Sequence, residues 1–505
     1  MIKETFLLSG INLSGKVLGL IKVVILASIY GAGSIYDGYI IAYTLPTTLP
    51  QILTIIISTI FIPQFHKKDR TTKSSWGGLN TILTLIVFIS LSTTVILYTF
   101  SEHVVSFLAP GISKETNIIA IELFRMMSIS TFLIGVSSFF ISLSYARNKF
   151  FLASLDSLII NTLVITYCFI YGVKSDISSI VILIVIGFLL NFLILTYSNR
   201  DYLFRYIRLG LDYRHDDFVS PLKKSLPIII GYVGAITTSI VDQWFASYEQ
   251  IGAISILAYA SMLFLLPMEV FGKAVMDTYF TRFSQLSNER DALLRSYHEG
   301  MGLIFFILIP VSLFLLLSNT EIIRVIFERG EFSSSDTHLT SLVLSALSLG
   351  LVLRAVTYFN YRLLHAIEKS WLAISVGLIG VVINIIFNYI LAKHLGLVGI
   401  ALATTISILS SVILSCVLLK KFYDIQYYKY VTCNLIKIIS ISLLSIFLYA
   451  YIIEKIDCAI GGTCFFIFNF AMLFFITVVF FVAGYVFNVN EVRTLVEYVK
   501  HRRNA

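Results

Sequence analysis

The sequence predicts an all-α integral membrane protein of about 14 transmembrane helices, built as two pseudo-symmetric six-helix halves followed by two further helices. Fourteen apolar stretches follow one another, each at least as long as the roughly 20 residues that an α-helix needs to cross a bilayer. Charged residues are only 13% of the chain, about half the soluble average of roughly 25%. Basic residues concentrate in every second gap between the apolar stretches. Lipid can solvate this much apolar surface, whereas a soluble core cannot hide it.

The apolar stretches divide the chain into four predicted regions. Their approximate bounds are 5–30, 37–65, 77–101, 118–146, 149–172, 178–198, 221–246, 251–282, 300–318, 336–367, 370–392, 396–419, 430–453 and 463–488. The first six form an N-terminal half over 1–198, and a basic linker follows over 199–224. The next six form a C-terminal half over 225–421. Residues 422–505 hold the last two helices and a tail.

Loop charge predicts the orientation. With the N-terminus in the cytoplasm, the cytoplasmic gaps hold 25 basic residues and the outer gaps hold six. Basic loops stay on the cytoplasmic side, so we expect both termini there. The net charge of +8 then reflects topology and attraction to membrane lipids, and not nucleic-acid binding.

An internal repeat relates the two halves. The segment Ala146–Ala153 recurs as Ala366–Ala373, with alanine, lysine and leucine at matching positions and an offset of 220. Helices 1–6 and 7–12 would then have the same orientation in the membrane. Repeats of this kind are typical of alternating-access transporters, in which substrate binds between the halves.

Several other classes of function are disfavoured. The hydrophilic gaps are too short for a soluble catalytic domain, so we expect a transporter and not an enzyme, with no cofactor. Gly10–Lys16 resembles a phosphate-binding loop, but Val17 replaces the required Ser or Thr and no strand precedes it. We therefore expect no bound nucleotide. We also expect the protein to be a monomer. A disulfide between Cys458 and Cys464 is left open.

Ionisable and polar residues within the spans indicate a substrate cavity. A charge at membrane depth is costly unless it is paired or hydrated, so each is a functional candidate. On the second helix a polar stripe shares one face, beside Pro46 and Pro50, which are expected to break the helix. The predicted cavity residues are Lys16, Lys22, Asp37, Thr44, Thr48, Gln51, Lys273, Arg354 and Tyr358. Simple charge neutralisation along one helix, Glu122 with Arg125 and Lys273 with Asp277, is the alternative for some of these charges.

A second polar cluster suits a monovalent cation. Asn384 and Asn388 lie four residues apart on one predicted helix, Thr404 lies on the next, and Asp242 lies in the seventh span. One carboxylate with neutral oxygens fits sodium better than a divalent ion, which usually recruits more carboxylates. The alternative is a hydrogen-bonded network that only packs helices together.

Two motifs resemble the MviN/MurJ lipid II flippase family. They are Tyr30-Gly-Ala-Gly-Ser-Ile-Tyr-Asp37 followed by Leu45-Pro46, and Phe327-Glu-Arg-Gly-Glu-Phe332. A third, Leu395-Gly-Leu-Val-Gly-Ile-Ala401, resembles a signature shared more widely among multidrug and oligosaccharide-lipid exporters. The resemblance to the flippases covers essentially the whole chain. It implies flipping of a polyprenyl-pyrophosphate-linked glycan from the inner to the outer leaflet of a bacterial cytoplasmic membrane. It also implies a cation site at Asp242, Asn384, Asn388 and Thr404, with a backbone oxygen near Ile400.

The chain departs from that family in its cationic residues. Lys16 and Lys22 stand where arginines are usual, Pro50 and Gln51 replace a basic pair, and Met262 replaces another arginine. Lysine lacks the bidentate fork with which arginine binds phosphate. Other functions therefore stay open: a flippase for a polyprenyl-linked O-antigen or exopolysaccharide unit, a cation-coupled multidrug exporter, and a non-transporting scaffold for cell-wall synthesis.

Overall fold

The structure is a computed structural model that describes residues 2–67, 76–208, 210, 216–423, 435–447 and 451. Throughout those ranges every regular element is a helix. The α-helices are α1 (Ile2–Tyr30), α2 (Ser34–Lys67), α3 (Gly77–Thr99), α4 (Ser101–Leu108), α5 (Lys114–Ala146), α6 (Phe150–Ala153), α7 (Asp156–Tyr171), α8 (Ile177–Ser198), α9 (Arg200–Arg205), α10 (Asp216–Ala246), α11 (Ala253–Pro267), α12 (Lys273–Gln285), α13 (Arg290–Leu317), α14 (Asn319–Phe327), α15 (Ser334–Ser348), α16 (Leu351–Ala366) and α17 (Ser370–Tyr423). A last described helix, α18, covers Leu435–Phe447.

The all-α membrane fold class is confirmed. In the described part of the chain, nine helices are long and apolar enough to cross a membrane, or ten if α15 and α16, bent by 41°, form one broken span. The predicted thirteenth stretch, 430–453, corresponds to α18 in its described part. The fourteenth, 463–488, lies outside the described residues, as do the tail and both cysteines of the candidate disulfide. The exact helix count stays a prediction.

The chain divides into two compact units. Unit 1 contains Met1–Ala258 together with Phe327–Asp336, and unit 2 contains Tyr259–Ile326 and Thr337–Ala505. This division differs from the predicted repeat boundary at 225, because α10 packs against α2 and so belongs to unit 1. A repeat boundary follows ancestry in the sequence, whereas a compact unit follows packing. The predicted domain limits therefore stay a prediction.

In unit 1, α5 is the central helix. It packs against α2, α3 and α8, and its buried face carries small hydroxyl residues. Ser128 and Ser142 donate to carbonyls of their own helix, at 2.7 Å and 3.0 Å. Small side chains let helices approach closely, which is how helices pack where lipid removes the hydrophobic driving force.

The segment that resembles a phosphate-binding loop has a packing role. Gly15 and Gly19 lie on α1 against Ser157 and Asn161 of α7, and the Asn161 amide donates to the Gly15 carbonyl oxygen at 3.1 Å. A Cβ atom at Gly15 would overlap the Ser157 hydroxyl. The glycines therefore permit close contact between α1 and α7.

The sequence repeat has a structural counterpart in two turns. Asn148 and Glu368 both have positive φ, 57° and 61°. After each, the following lysine donates its backbone N–H to a carbonyl five residues earlier, at 2.8 Å in both copies. Two glycines also match: Gly172 has φ 54° and ψ −130°, and Gly396, which interrupts α17, has φ 57° and ψ −137°. The two halves therefore share local backbone geometry at these positions.

Candidate functional site

Asp37 lies near the start of α2 and is buried, with 4% of its surface exposed. Its carboxylate accepts the backbone N–H groups of Gly252 at 2.7 Å and Ser255 at 2.8 Å, and also the Ser255 hydroxyl. Gly252 and Ser255 flank the start of α11, so Asp37 caps the N-terminus of that helix, where unpaired N–H groups and the helix dipole favour an anion. The sequence placed Asp37 in an aqueous cavity, and this position is corrected: its partners are backbone groups of another helix.

Two other residues of the polar stripe on α2, Thr44 and Gln51, contact α10. The Thr44 hydroxyl lies 3.1 Å from the side-chain oxygen of Gln243, and the Tyr232 hydroxyl donates to the Gln51 oxygen at 2.7 Å. Thr48 donates to the Thr44 carbonyl at 2.6 Å. The stripe is thus partly a helix–helix interface, because polar groups on neighbouring helices satisfy one another. Gln51 is nevertheless exposed.

The two prolines do not break α2. The helix continues from Ser34 to Lys67 through Pro46 and Pro50. The Pro46 carbonyl oxygen accepts the Thr131 hydroxyl of α5 at 3.0 Å. A side chain of a neighbouring helix thus takes up one backbone group beside the prolines, which is how such helices tolerate proline. The predicted break is therefore wrong.

The candidate cations of unit 1 lie on α1. Lys16 and Lys22 are both half-buried. The Lys22 ammonium group lies 5.9 Å from the centre of the Tyr43 ring, which is within range of a cation–π interaction. Among the described residues no carboxylate pairs with Lys22. Lys22 therefore has positive charge available for an anionic group.

The candidate cation of unit 2 on α16 is Arg354. Its guanidinium group lies 5.7 Å from the centre of the Phe264 ring and 5.6 Å from that of Tyr358. It donates one hydrogen bond to the Tyr358 hydroxyl, at 3.3 Å. No described carboxylate pairs with it. Since a guanidinium carries five N–H donors, most of them stay available for a ligand.

The charge pairs expected along single helices are replaced by pairs between helices. Lys273 is exposed at the start of α12, directly after a π-helix at Met268–Gly272, and Asp277 pairs with Arg362 of α16 at 2.7 Å. Arg125 pairs with Glu102 of α4 at 2.9 Å, and not with Glu122. The expected pairing of charges within one helix was therefore wrong. A charged side chain on an adjacent helix can reach its partner as easily as one on the next turn of the same helix.

The predicted cation ligands are partly brought together. Asn384 and Asn388 are completely buried on α17, and the Asn384 amide donates to the Thr404 hydroxyl at 3.2 Å. Ile400 is also buried, on the far side of the interruption at Gly396. Asp242 lies on α10 in unit 1. The sodium site stays a prediction, as does the packing alternative.

Sequence reasoning missed a group of close backbone contacts around the α1–α2 turn. The Glu331 N–H donates to the Ser28 carbonyl oxygen at 2.9 Å, and a Cβ atom at Gly330 would lie 2.0 Å from that oxygen. A Cβ atom at Gly31 would lie 2.5 Å from the Glu331 carbonyl oxygen, and one at Gly252 would lie 2.2 Å from that of Ala32. The segment 327–336 thereby belongs to unit 1 although its neighbours in sequence belong to unit 2. The glycines of the first two family-like motifs were the available signal.

Residues 26–472 match the model of the lipid II flippase MurJ family. The chain belongs to this family. A probable lipid II flippase MurJ of Borreliella burgdorferi is 26% identical over 97% of this chain and 96% of its own length. A lipid II flippase MurJ of Thermosipho africanus is 27% identical over 80% of this chain and 82% of its own length.

Solved structures show the same kinship. A lipid II flippase MurJ in an inward closed conformation matches with a TM-score of 0.80 and 26% identity, over 97% of this chain and all of that one. A multidrug resistance MATE family transporter in an inward-facing conformation matches with a TM-score of 0.67 and 14% identity, over 82% and 98%. The second likeness shows the fold alone. The motif resemblance is confirmed, and the chain is a multi-pass transporter of the bacterial inner membrane.

Proposed function

We propose that this chain moves lipid II, a polyprenyl-pyrophosphate-linked glycan, from the inner to the outer leaflet by alternating access. One observation carries the proposal: similarity to lipid II flippases extends over 97% of the chain, and it covers all of the solved flippase structure. A shared fold alone would not indicate the cargo, since one fold hosts many functions. The MATE family likeness is of that weaker kind.

The cations of both units suit the pyrophosphate group of such a substrate. Lys22 in unit 1 and Lys273 and Arg354 in unit 2 have no carboxylate partner among the described residues. An uncompensated cation at membrane depth is costly, so its retention favours a role with an anion. Arg354 would bind phosphate through its planar fork, whereas the lysines would act as point charges. Lys16, Thr44, Thr48, Gln51 and Tyr358 would complete the polar surface.

Closure of the outer side would depend on the contacts around the α1–α2 turn. Asp37 capping α11 and the docking of Glu331 on Ser28 both hold segments of unit 1 together, and loop charge predicts that these segments lie on the outer side. Alternating access requires two states with different contacts, and substrate shifts their populations only if it binds them differently. We infer that these caps form in the inward state and break in the outward state.

The coupling ion we propose is sodium. Asp242 would supply the charge, and Asn384, Asn388, Thr404 and the carbonyl of Ile400 would supply neutral oxygens. The expected result is faster flipping in sodium than in choline buffer, with the difference abolished by Asp242→Asn. Equal rates in both buffers, unchanged by that substitution, would assign these residues to packing.

Other features of the proposal follow from topology and family. Both termini would be cytoplasmic, the chain would act as a monomer among membrane lipids, and neither nucleotide nor nucleic acid would be involved. Transport would need no catalytic residues.

The decisive experiment is rescue of a bacterial strain depleted of its own lipid II flippase. We expect rescue by the chain, and loss of rescue by Lys22→Gln and by Arg354→Gln at unchanged membrane expression. Arg295→Gln is the matched control, because Arg295 is an exposed arginine in the first turns of α13, within a gap between the predicted spans. Failure of the unsubstituted, expressed chain to rescue, with flipping of another polyprenyl-linked glycan in vesicles, would refute lipid II as cargo.

A further inference from the structure

The end of α8 and the first part of the predicted linker form a defined surface. Segment 197–208 begins with the last two residues of α8 and contains the short helix α9. Trp76 is completely buried beneath it and stacks on Tyr206, with ring centres 5.5 Å apart and planes 7° apart. Tyr202 and Leu203 pack against the same apolar cluster. We call segment 197–208 the basic–aromatic platform.

Hydrogen bonds from α3 side chains to backbone groups fix the end of the platform on α3. The Asn80 side chain donates to the Tyr206 carbonyl at 3.3 Å and accepts the Arg208 N–H at 3.2 Å. Thr84 and Gly210 exchange a similar pair of hydrogen bonds, at 3.1 Å and 2.9 Å. The position of the platform relative to the apolar helices of unit 1 is therefore set by specific contacts.

Two cations of the turn between α5 and α6 hold the start of the platform, at the C-terminal end of α8. The Lys149 ammonium group donates to the Ser198 carbonyl at 3.1 Å, and Arg147 donates to the Asn199 side chain at 2.8 Å. Burial and the nearby charge of Arg147 lower the pKa of Lys149, and Asp201 opposes this shift. Positive groups at the C-terminal end of a helix complement its dipole. These two cations are thus used structurally.

The opposite face of the platform exposes both aromatic and basic groups. Phe204 is 85% exposed and Tyr197 is 67% exposed. Arg200, Arg205 and Arg208 are exposed as well, and Arg200 lies 4.3 Å above the Tyr197 ring. Asp201 is the single acidic residue between positions 197 and 208. A phenylalanine held exposed to water among arginines is unfavourable, so we expect another group to cover this surface.

The location of this face indicates what covers it. α8 is a 22-residue apolar helix of membrane-spanning length, and the platform begins where it ends, so the platform lies at the membrane surface. Short amphipathic segments at that depth bury aromatic side chains near the acyl boundary, while their basic residues meet anionic headgroups.

We propose that the basic–aromatic platform is a binding site for anionic phospholipids. Arg200, Arg205 and Arg208 bind the headgroup phosphate, and Phe204 inserts among the upper acyl carbons. The arginine planes suit phosphate oxygens, and stacking on tyrosine holds at least one of them in place. The site is separate from the flipped substrate, and its test does not depend on the cargo.

The test counts phosphatidylglycerol molecules bound to the detergent-solubilised full chain, from the mass of the intact complex, with phosphatidylcholine as the comparison lipid. We expect a clear preference for phosphatidylglycerol. Each Arg→Gln substitution at 200, 205 or 208 should weaken it about fivefold, and the triple variant roughly 100-fold. The charge-matched control is Lys114→Gln, Lys174→Gln and Arg295→Gln, three exposed cations outside the platform, and it should retain the preference.

Phe204→Ser distinguishes a lipid from a free phosphate. Loss of the ring should weaken phosphatidylglycerol binding several-fold while leaving any binding of soluble glycerol phosphate unchanged. Equal losses in the platform and control variants would show that only net charge matters, and would overturn the site. An unchanged preference in the single arginine variants, each of which preserves most of the surface, would overturn it as well.

Discussion

At the scale of single residues, the charged side chains within the spans are of two kinds. Some bind backbone groups of another helix, and others stay available to bind a ligand. Asp37 is of the first kind, since its carboxylate accepts two backbone N–H groups of the α11 N-terminus. Lys22 and Arg354 are of the second kind, because aromatic rings and not carboxylates surround them in the described structure. Only the second kind is suited to binding a charged substrate.

Replacing Asp37 with alanine should destabilise the protein more than removing an exposed cap. The substitution leaves two N–H groups in a buried site without their acceptor, at a cost of about 1–3 kcal/mol each. Asp176→Ala is the matched control, because Asp176 is an exposed cap of its own helix, α8, worth about 1 kcal/mol. Thermal unfolding in detergent measures both. Equal losses would mean that Asp37 does not hold α11.

Glycine at position 330 should be required for space as well as for backbone conformation. Gly330 and Gly172 both have positive φ, so alanine is strained at either position, by about 1–3 kcal/mol. At Gly330 the new methyl group would also meet the Ser28 carbonyl, whereas at Gly172 nothing lies within 4 Å. Gly330→Ala should therefore lower the unfolding temperature clearly more than Gly172→Ala. Similar shifts would show that segment 327–336 is loosely held.

At the scale of helices, the contact between α2 and α10 shows that a polar stripe can face a neighbouring helix as well as water. Asp37, Thr44 and Gln51 share one face at helical spacing, which predicted a water-lined surface. In the structure Thr44 and Gln51 meet Gln243 and Tyr232 of α10. Periodicity identifies a polar face but not its partner, since water and a neighbouring polar helix satisfy it equally.

A double-mutant cycle tests this interface. Gln51→Leu and Tyr232→Phe should show a coupling of about 0.6 kcal/mol, and at most about 1.7 kcal/mol, as for other hydrogen bonds between membrane helices. Thr237→Val is the control partner, because the Thr237 hydroxyl bonds to its own helix at the Val233 carbonyl. That second cycle should be additive. Additivity in both cycles would show that Gln51 and Tyr232 do not form a stable hydrogen bond in the folded protein.

At the scale of the whole molecule, orientation in the membrane is the property most open to a direct test. Loop charge places Gly210 inside and Ser333 outside. In a variant lacking the five native cysteines, a membrane-impermeant thiol reagent added to cells should label Ser333→Cys and spare Gly210→Cys. Both positions lie in described, non-helical segments or at a helix start, so access is not limited by burial. Labelling of Gly210→Cys from outside would contradict the topology.

The candidate site was predictable from sequence only in part. Lys22 and Arg354 were found because a charge within an apolar stretch is conspicuous, and the structure leaves both without a described carboxylate partner. The pairing of Asp277 was missed, because Arg362 is 85 positions away in sequence. Ser255 was missed as well, since a serine in an apolar stretch carries no signal until Asp37 is placed beside it.

The sequence by itself determined the all-helical membrane fold, most of the described helix bounds and the recurrence of Ala146–Ala153 as Ala366–Ala373. These features are local: apolar length decides whether a segment spans a bilayer, and neighbouring residues decide how a turn forms. Tertiary structure alone decided that Asp37 caps α11, that segment 327–336 joins unit 1 and that segment 197–208 is fixed on α3. Lipid solvates every apolar face alike, so hydropathy does not specify which helices meet, and small residues and paired polar groups decide it instead.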